Sequence, residues 1–127
     1  MRRTFIVALV VFMLSAGLCA ASAVAVRGAV GRADALRLQA VRAAEARNAP
    51  EALAAARQLM DHWKACGRFM ELVTSHDALG EVEADIADAL LCLRDGNLPE
   101  FHRAAARVEA SLRRIRIAES ARLLNLF

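Results

Sequence analysis

Residues 1–26 read MRRTFIVALVVFMLSAGLCAASAVAV. After the Arg2-Arg3 pair, no charge and no proline interrupts the run from Thr4 to Val26. Only Thr4, Ser15, Gly17 and Ser22 dilute its apolar character. A bilayer core takes about 20 apolar residues in a helix, so this run is long enough to span one. It has no polar face, which argues against a buried helix of a soluble protein. The competing reading is an export signal. Arg2 and Arg3 are then its charged start, Phe5 to Leu18 its apolar middle, and Ala21-Ser22-Ala23 a small-residue cleavage site that leaves Val24 as the new N-terminus. Length favours a retained anchor, and the Ala-Ser-Ala triplet favours cleavage. Lipid modification at Cys19 is set aside, because Leu18 stands where a small residue is wanted.

The charges around the run pull both ways. Arg2, Arg3 and the amino terminus argue for a cytoplasmic N-terminus, whereas Arg27, Arg32, Arg37 and Arg42 follow on the other side. The short N-terminal tail and its signal-like start favour an N-terminus inside and a domain outside the cytoplasm. The chain therefore divides into an anchor or uncleaved signal (1–26), a juxtamembrane helix (27–48) and a helical bundle domain (49–127).

A chain of 127 residues has room for one domain. Its formal charge of +3 comes largely from Arg2 and Arg3, and without them the two signs nearly balance. This is not the clustered basic face that nucleic-acid binding requires. With no Tyr, one Trp and five Phe, the chain also lacks interleaved aromatics for stacking on single strands. Cys66 and Cys92 show no metal-ligand spacing. They read as small apolar residues on helix faces, with a disulfide between them as the alternative outside the cytoplasm. No catalytic, cofactor-binding or metal-binding residue is assigned.

Beyond the run, Gly28 and Gly31 are expected to loosen the exit from the membrane. From Arg32 to Asn48 a thin stripe of Ala33, Leu36, Ala40, Val41 and Ala44 predicts a helix, which is either separate or a continuation of the anchor. Arginine every fifth residue winds around that helix instead of forming a face, though near the membrane it can touch anionic head groups. Asn48-Ala49-Pro50-Glu51 is a helix start. Leu59, Trp63, Cys66, Met70 and Val73 make the next seam, in which Trp63 reads as a core anchor. The seam that follows, Leu79, Val82, Ile86, Leu90 and Leu93, is out of phase with it. A break at Thr74-Ser75-His76-Asp77, with Ser75 or Asp77 as cap, accounts for the shift. Asp95-Gly96 ends that helix, and Asn97-Leu98-Pro99-Glu100 starts the last, with Phe101, Ala105, Val108, Leu112 and Ile115 inward. The apolar stretch 123–127 is expected to dock on the bundle.

Between Glu71 and Asp95 the chain is strongly acidic, and between Arg103 and Arg122 mostly basic. A two-residue turn makes these two helices antiparallel neighbours whose rims attract. The constellation His76, Asp77, Glu81, Glu83 and Asp85 raises the question of a divalent-cation or acid–base site. Glu81, Asp85 and Asp88 share one helix face and a basic helix follows, so a face that meets a basic neighbour is preferred.

Trp63, then His76-Asp77 with Val82-Glu83, then Asp95, and finally the Leu-Asn-Leu-Phe stretch resemble the bacterial domain-of-unknown-function 4363 family. The similarity covers residues 50–127 best. It implies one apolar N-terminal segment and a helical domain of about 100 residues. It carries no activity and transfers no catalytic residue. Together these readings predict an all-α protein. A transmembrane helix leads into a small antiparallel bundle of about three helices, in the cell membrane as a single pass. The expected function is non-enzymatic, with the bilayer and either an integral membrane protein or a second copy of the chain as partners. A secreted binding domain released after Ala23 is the alternative.

Overall fold

The computed structural model describes residues 1–126, with side chains through Asn125. Phe127, part of the stretch expected to dock, lies outside the described residues. The described chain is helical throughout: α1 (Arg2–Glu45), α2 (Ala49–Met70), α3 (His76–Arg94) and α4 (Leu98–Leu126). Three helices thus follow a long apolar first one.

The connections explain the boundaries. At the end of α1, Arg47 N–H donates to Ala44 O and Asn48 N–H to Ala43 O, at 3.0 and 2.9 Å. At the end of α3, Gly96 N–H donates to Leu93 O and Asn97 N–H to Cys92 O, at 3.2 and 2.9 Å. Both are Schellman turns, with Arg47 (φ 57°) and Gly96 (φ 71°) in the left-handed position. In each, the following Asn caps the next helix: Asn48 Oδ1 accepts from Glu51 N and Asn97 Oδ1 from Glu100 N, both at 3.3 Å. The two corners share the pattern Asn-x-Pro-Glu. Counting on from them, buried Ala52, Ala55, Ala56, Leu59 and Trp63 of α2 match Phe101, Ala104, Ala105, Val108 and Leu112 of α4, place by place. The fold is built from two like helical hairpins, α1–α2 and α3–α4. The middle connection differs. There α2 stops at Met70, and Ser75 Oγ accepts from Ala78 N at 3.2 Å to start α3. The out-of-phase seams reflect this break.

Each helix touches two others: α1 meets α2 and α4, and α3 meets α2 and α4. Short corners make these neighbours antiparallel. Two apolar clusters fill the middle. Near the Schellman corners the core is mostly alanine around Phe101, so the helices lie close. Toward the α2–α3 turn it widens to Val26, Val30, Leu36, Trp63, Met70, Ile86 and Leu112. Trp63 is 2% exposed and donates its indole N–H to Leu79 O at 3.2 Å, which ties α2 to α3.

Three expectations change in the folded chain. Gly28 and Gly31 do not loosen α1, which runs unbroken through both. An internal glycine costs about 1 kcal/mol, and burial of Val26, Ala29, Val30 and Ala33 on the opposite face outweighs it. Segment 27–48 continues the apolar run, one of the two expected readings, but it is a full wall of the bundle and not a separate juxtamembrane piece, buried at Ala29, Val30, Ala33, Leu36, Ala40, Ala43 and Ala44. Residues 123–126 do not fold back but remain in α4, with Leu124 80% exposed. Continued helix satisfies their backbone groups.

Candidate functional site

The most distinctive surface is the first half of α1. Phe5, Ile6, Val7, Leu9, Val10, Val11, Phe12, Met13, Leu14 and Leu18 are all at least half exposed. This is the one described helix long and apolar enough to cross a membrane, with a mean hydropathy of 2.4 over its richest window. Burial begins at Ala23, 4% exposed, and Val26, 1% exposed. One rigid helix therefore changes environment along its length. Among the described residues its first half is exposed up to Ala23 except at half-buried Ala16, Cys19 and Ser22, and its second half is core.

The levels at which the bundle meets α1 follow from two cross-links. A ring nitrogen of His62 lies 2.9 Å from Ala29 O, joining α2 to α1. The Arg37 guanidinium, held by Asp34 at 2.9 Å, also reaches Glu109 on α4 at 3.8 Å. Antiparallel helices advance by equal steps of about 1.5 Å per residue. Counting from these links puts Arg68 and Leu123 beside Ala23, and Leu72 beside Cys19. The bundle end carrying the α2–α3 turn and the last turns of α4 is thus the end from which the free half of α1 departs. Leu72, 84% exposed, and Leu124, 80% exposed, stand there. Arg122 donates to Val73 O and fastens α4 to the turn. Leu124 belongs to the apolar stretch expected to dock, whereas Leu72 did not stand out from the sequence. Leu72 is exposed because it follows Asp61, Ala65 and Arg68 on the face turned away from the core.

The carboxylates raised above as a metal or acid–base question do not converge. Asp85 accepts from the buried Ser111 hydroxyl at 3.0 Å and lies 3.6 Å from Arg107. Arg114 donates to Ser111 Oγ at 2.9 Å and to Glu81 at 3.3 Å. Asp88 faces Arg107 at 3.7 Å. The acidic face of α3 therefore meets the basic face of α4, as the charge segregation predicts. His76 lies apart, 3.8 Å from Glu71 with both side chains exposed, and Asp77 and Glu83 are exposed. Among the described residues no three of His, Cys, Asp and Glu are placed to share a metal ion. An open groove beside this interface is lined by Thr74, Asp77, Glu81, Arg114, Glu119 and Arg122. On its rim Arg114 pairs with Glu81, and Arg122 donates to Val73 O.

The three cysteines are free thiols. Cys66 and Cys92 belong to different clusters of the core, Cys66 toward the wide end and Cys92 among the alanines. Burial pushes the Cys66 thiol up, above its ordinary value. It sits 3.8 Å from the His62 ring. Comparison with known proteins found no match among protein-family models, curated proteins or solved structures. The resemblance to the domain-of-unknown-function 4363 family gains no support from them.

Proposed function

We propose that the chain is a single-pass membrane protein whose apolar α1 segment stays in the cell membrane and holds the helical bundle outside the cytoplasm. There the bundle serves, without catalysis, as an interaction or accessory module for an integral membrane protein or a second copy of the chain. One observation carries the anchoring. The exposed apolar half of α1 is continuous with a half that is core of the bundle, so the anchor and its cargo are one rigid rod. An exposed apolar surface of this length in water is strongly unfavourable at about 25 cal/mol per Å², and a bilayer relieves it. The external placement rests on Arg2 and Arg3 at the start of the run. The non-catalytic reading rests on the polar side chains, whose carboxylates face arginines of the neighbouring helix.

A specific observation also favours release. The bond after Ala23 falls where burial begins, so cleavage there separates the exposed half of α1 from the buried half almost cleanly. Two measurements divide the readings. For the anchored protein, the mass of the mature chain includes residues 1–23, and the chain stays with the membrane pellet through alkaline carbonate. A mass that begins at Val24, with the chain in the soluble fraction, identifies the secreted form. Protease added to intact cells then tests the side, and a bundle protected until lysis rejects the external placement.

A further inference from the structure

We infer that the bundle does not hang clear of the bilayer but rests on it. Its wide end, with Leu72 in the α2–α3 turn and Leu124 in the last turns of α4, sinks into the boundary between head groups and acyl chains as a second contact beside α1. This inference rests on the anchoring of α1.

The first argument is length. Among the described residues, the side chains of α1 from Thr4 to Leu18 are exposed apart from half-buried Ala16, a length of about 21 Å at 1.5 Å per residue. The hydrocarbon core is about 30 Å thick, and tilt lengthens the path across it. The free half therefore falls about five residues short, and the span must continue to about Ala23. That residue is already beside Arg68 and Leu123, and Leu72 lies further along toward the membrane, level with Cys19. The bundle end and the last part of the span occupy the same depth.

The second argument is chemistry at that depth. Among the described residues, Leu72 and Leu124 are the two most exposed large apolar side chains beyond α1, and both lie at this end. Behind them stand Arg27, Arg68 and Arg122, all exposed, at the height where guanidinium groups meet lipid phosphates. Glu71, His76 and Glu119 share this end, so the apolar pair, not net charge, supplies the attraction. The opposite end, with Arg47-Asn48 and Gly96-Asn97, presents polar corners. Interfacial apolar side chains sink about 5–10 Å below the head groups, which matches a turn and a helix end more than a whole bundle face.

The test uses the full chain in phosphatidylcholine–phosphatidylglycerol vesicles, with Cys19, Cys66 and Cys92 replaced by Ala. An environment-sensitive nitrobenzoxadiazole probe is placed at one site at a time: Leu72→Cys, Leu124→Cys, Leu9→Cys in the span, and Leu98→Cys at the far end. Probes at positions 72 and 124 are expected to emit to the blue of the probe at 98. They are also expected to be quenched by nitroxide-labelled lipid and shielded from aqueous iodide. If the probe at 9 reports lipid while those at 72 and 124 match the probe at 98, the bundle stands clear of the surface and the inference fails with anchoring intact. If the probe at 9 also reports water, the anchoring reading fails and the inference with it. Should the thiol-free chain lose its cooperative melt, single tryptophans placed by Leu72→Trp, Leu124→Trp, Leu9→Trp and Leu98→Trp in a Trp63→Phe background, read with brominated lipids, give the same three outcomes.

Discussion

Arg47 and Gly96 hold the same place in two like corners and differ in what that place costs them. A side chain in the left-handed region is unfavourable by about 1–2 kcal/mol, and glycine is exempt. A Cβ at Gly96 meets nothing within 4 Å, so the penalty there is conformational alone. Arg47→Gly is therefore expected to stabilise the bundle by about 1 kcal/mol and Gly96→Ala to destabilise it by a similar amount. The midpoint of urea unfolding in detergent checks both, and shifts of the same sign for the two would refute the common geometry. The asparagine caps were legible at this scale because Asn-x-Pro-Glu names both the cap and the first turn. The place of His62 against Ala29 O was not, since the residues lie far apart in sequence and only packing brings them together.

Between elements, the α3–α4 pairing joins an acidic face to a basic one through Asp85, Asp88 and Glu81 with Arg107, Ser111 and Arg114. Most of these side chains are half exposed or more, so each ion pair contributes little, about 0.2–1 kcal/mol. Asp85 is the exception, 19% exposed and bonded to a buried hydroxyl. Reversing Arg107 and Arg114 together to Glu is expected to destabilise the fold by about 1–2 kcal/mol at low salt, less at 1 M where screening acts within about 3 Å. Thermal melts of the variant at the two ionic strengths test this, and a loss independent of salt would show that packing of the arginine stems, not charge, is what was removed. The charge segregation and the seams were readable because both repeat at helical spacing. The out-of-phase seams at residues 73 and 79 placed the break, and Ser75 is the cap that forms it. The docking expected after Arg122 did not occur for residues 123–126, which stay in α4. Apolar composition without periodicity says that a surface wants cover, and it does not say whether protein or lipid supplies it.

For the whole molecule, the anchor and the bundle share a helix. Since core burial starts near Val26, a chain beginning at Val24 is expected to keep its helicity and a cooperative melt. A chain beginning at Asn48 lacks the wall that α1 provides and is expected to lose that melt, because it leaves the inner faces of α2 and α4 open. Circular dichroism with thermal melting distinguishes the two. A cooperative melt in the shorter chain would mean that three helices suffice. The comparison also bears on release after Ala23, since that product needs the longer form to fold by itself.

The residues alone determined the helical class, the unbroken apolar run, the corners at Asn48 and Asn97, the break before His76 and the opposition of acidic and basic helices. All of these are local or periodic properties, written within a few turns of the chain. Tertiary structure decided what no local pattern encodes. It joined residues 27–48 to the core, matched the two hairpins, scattered the carboxylates among arginine partners, and brought Leu72 and Leu124 to the end from which the apolar helix leaves. The physical reason is one of level. Which residues share a height along a bundle depends on where the helices cross-link, here at His62 with Ala29 and Arg37 with Glu109, and those heights are fixed only when the helices pack.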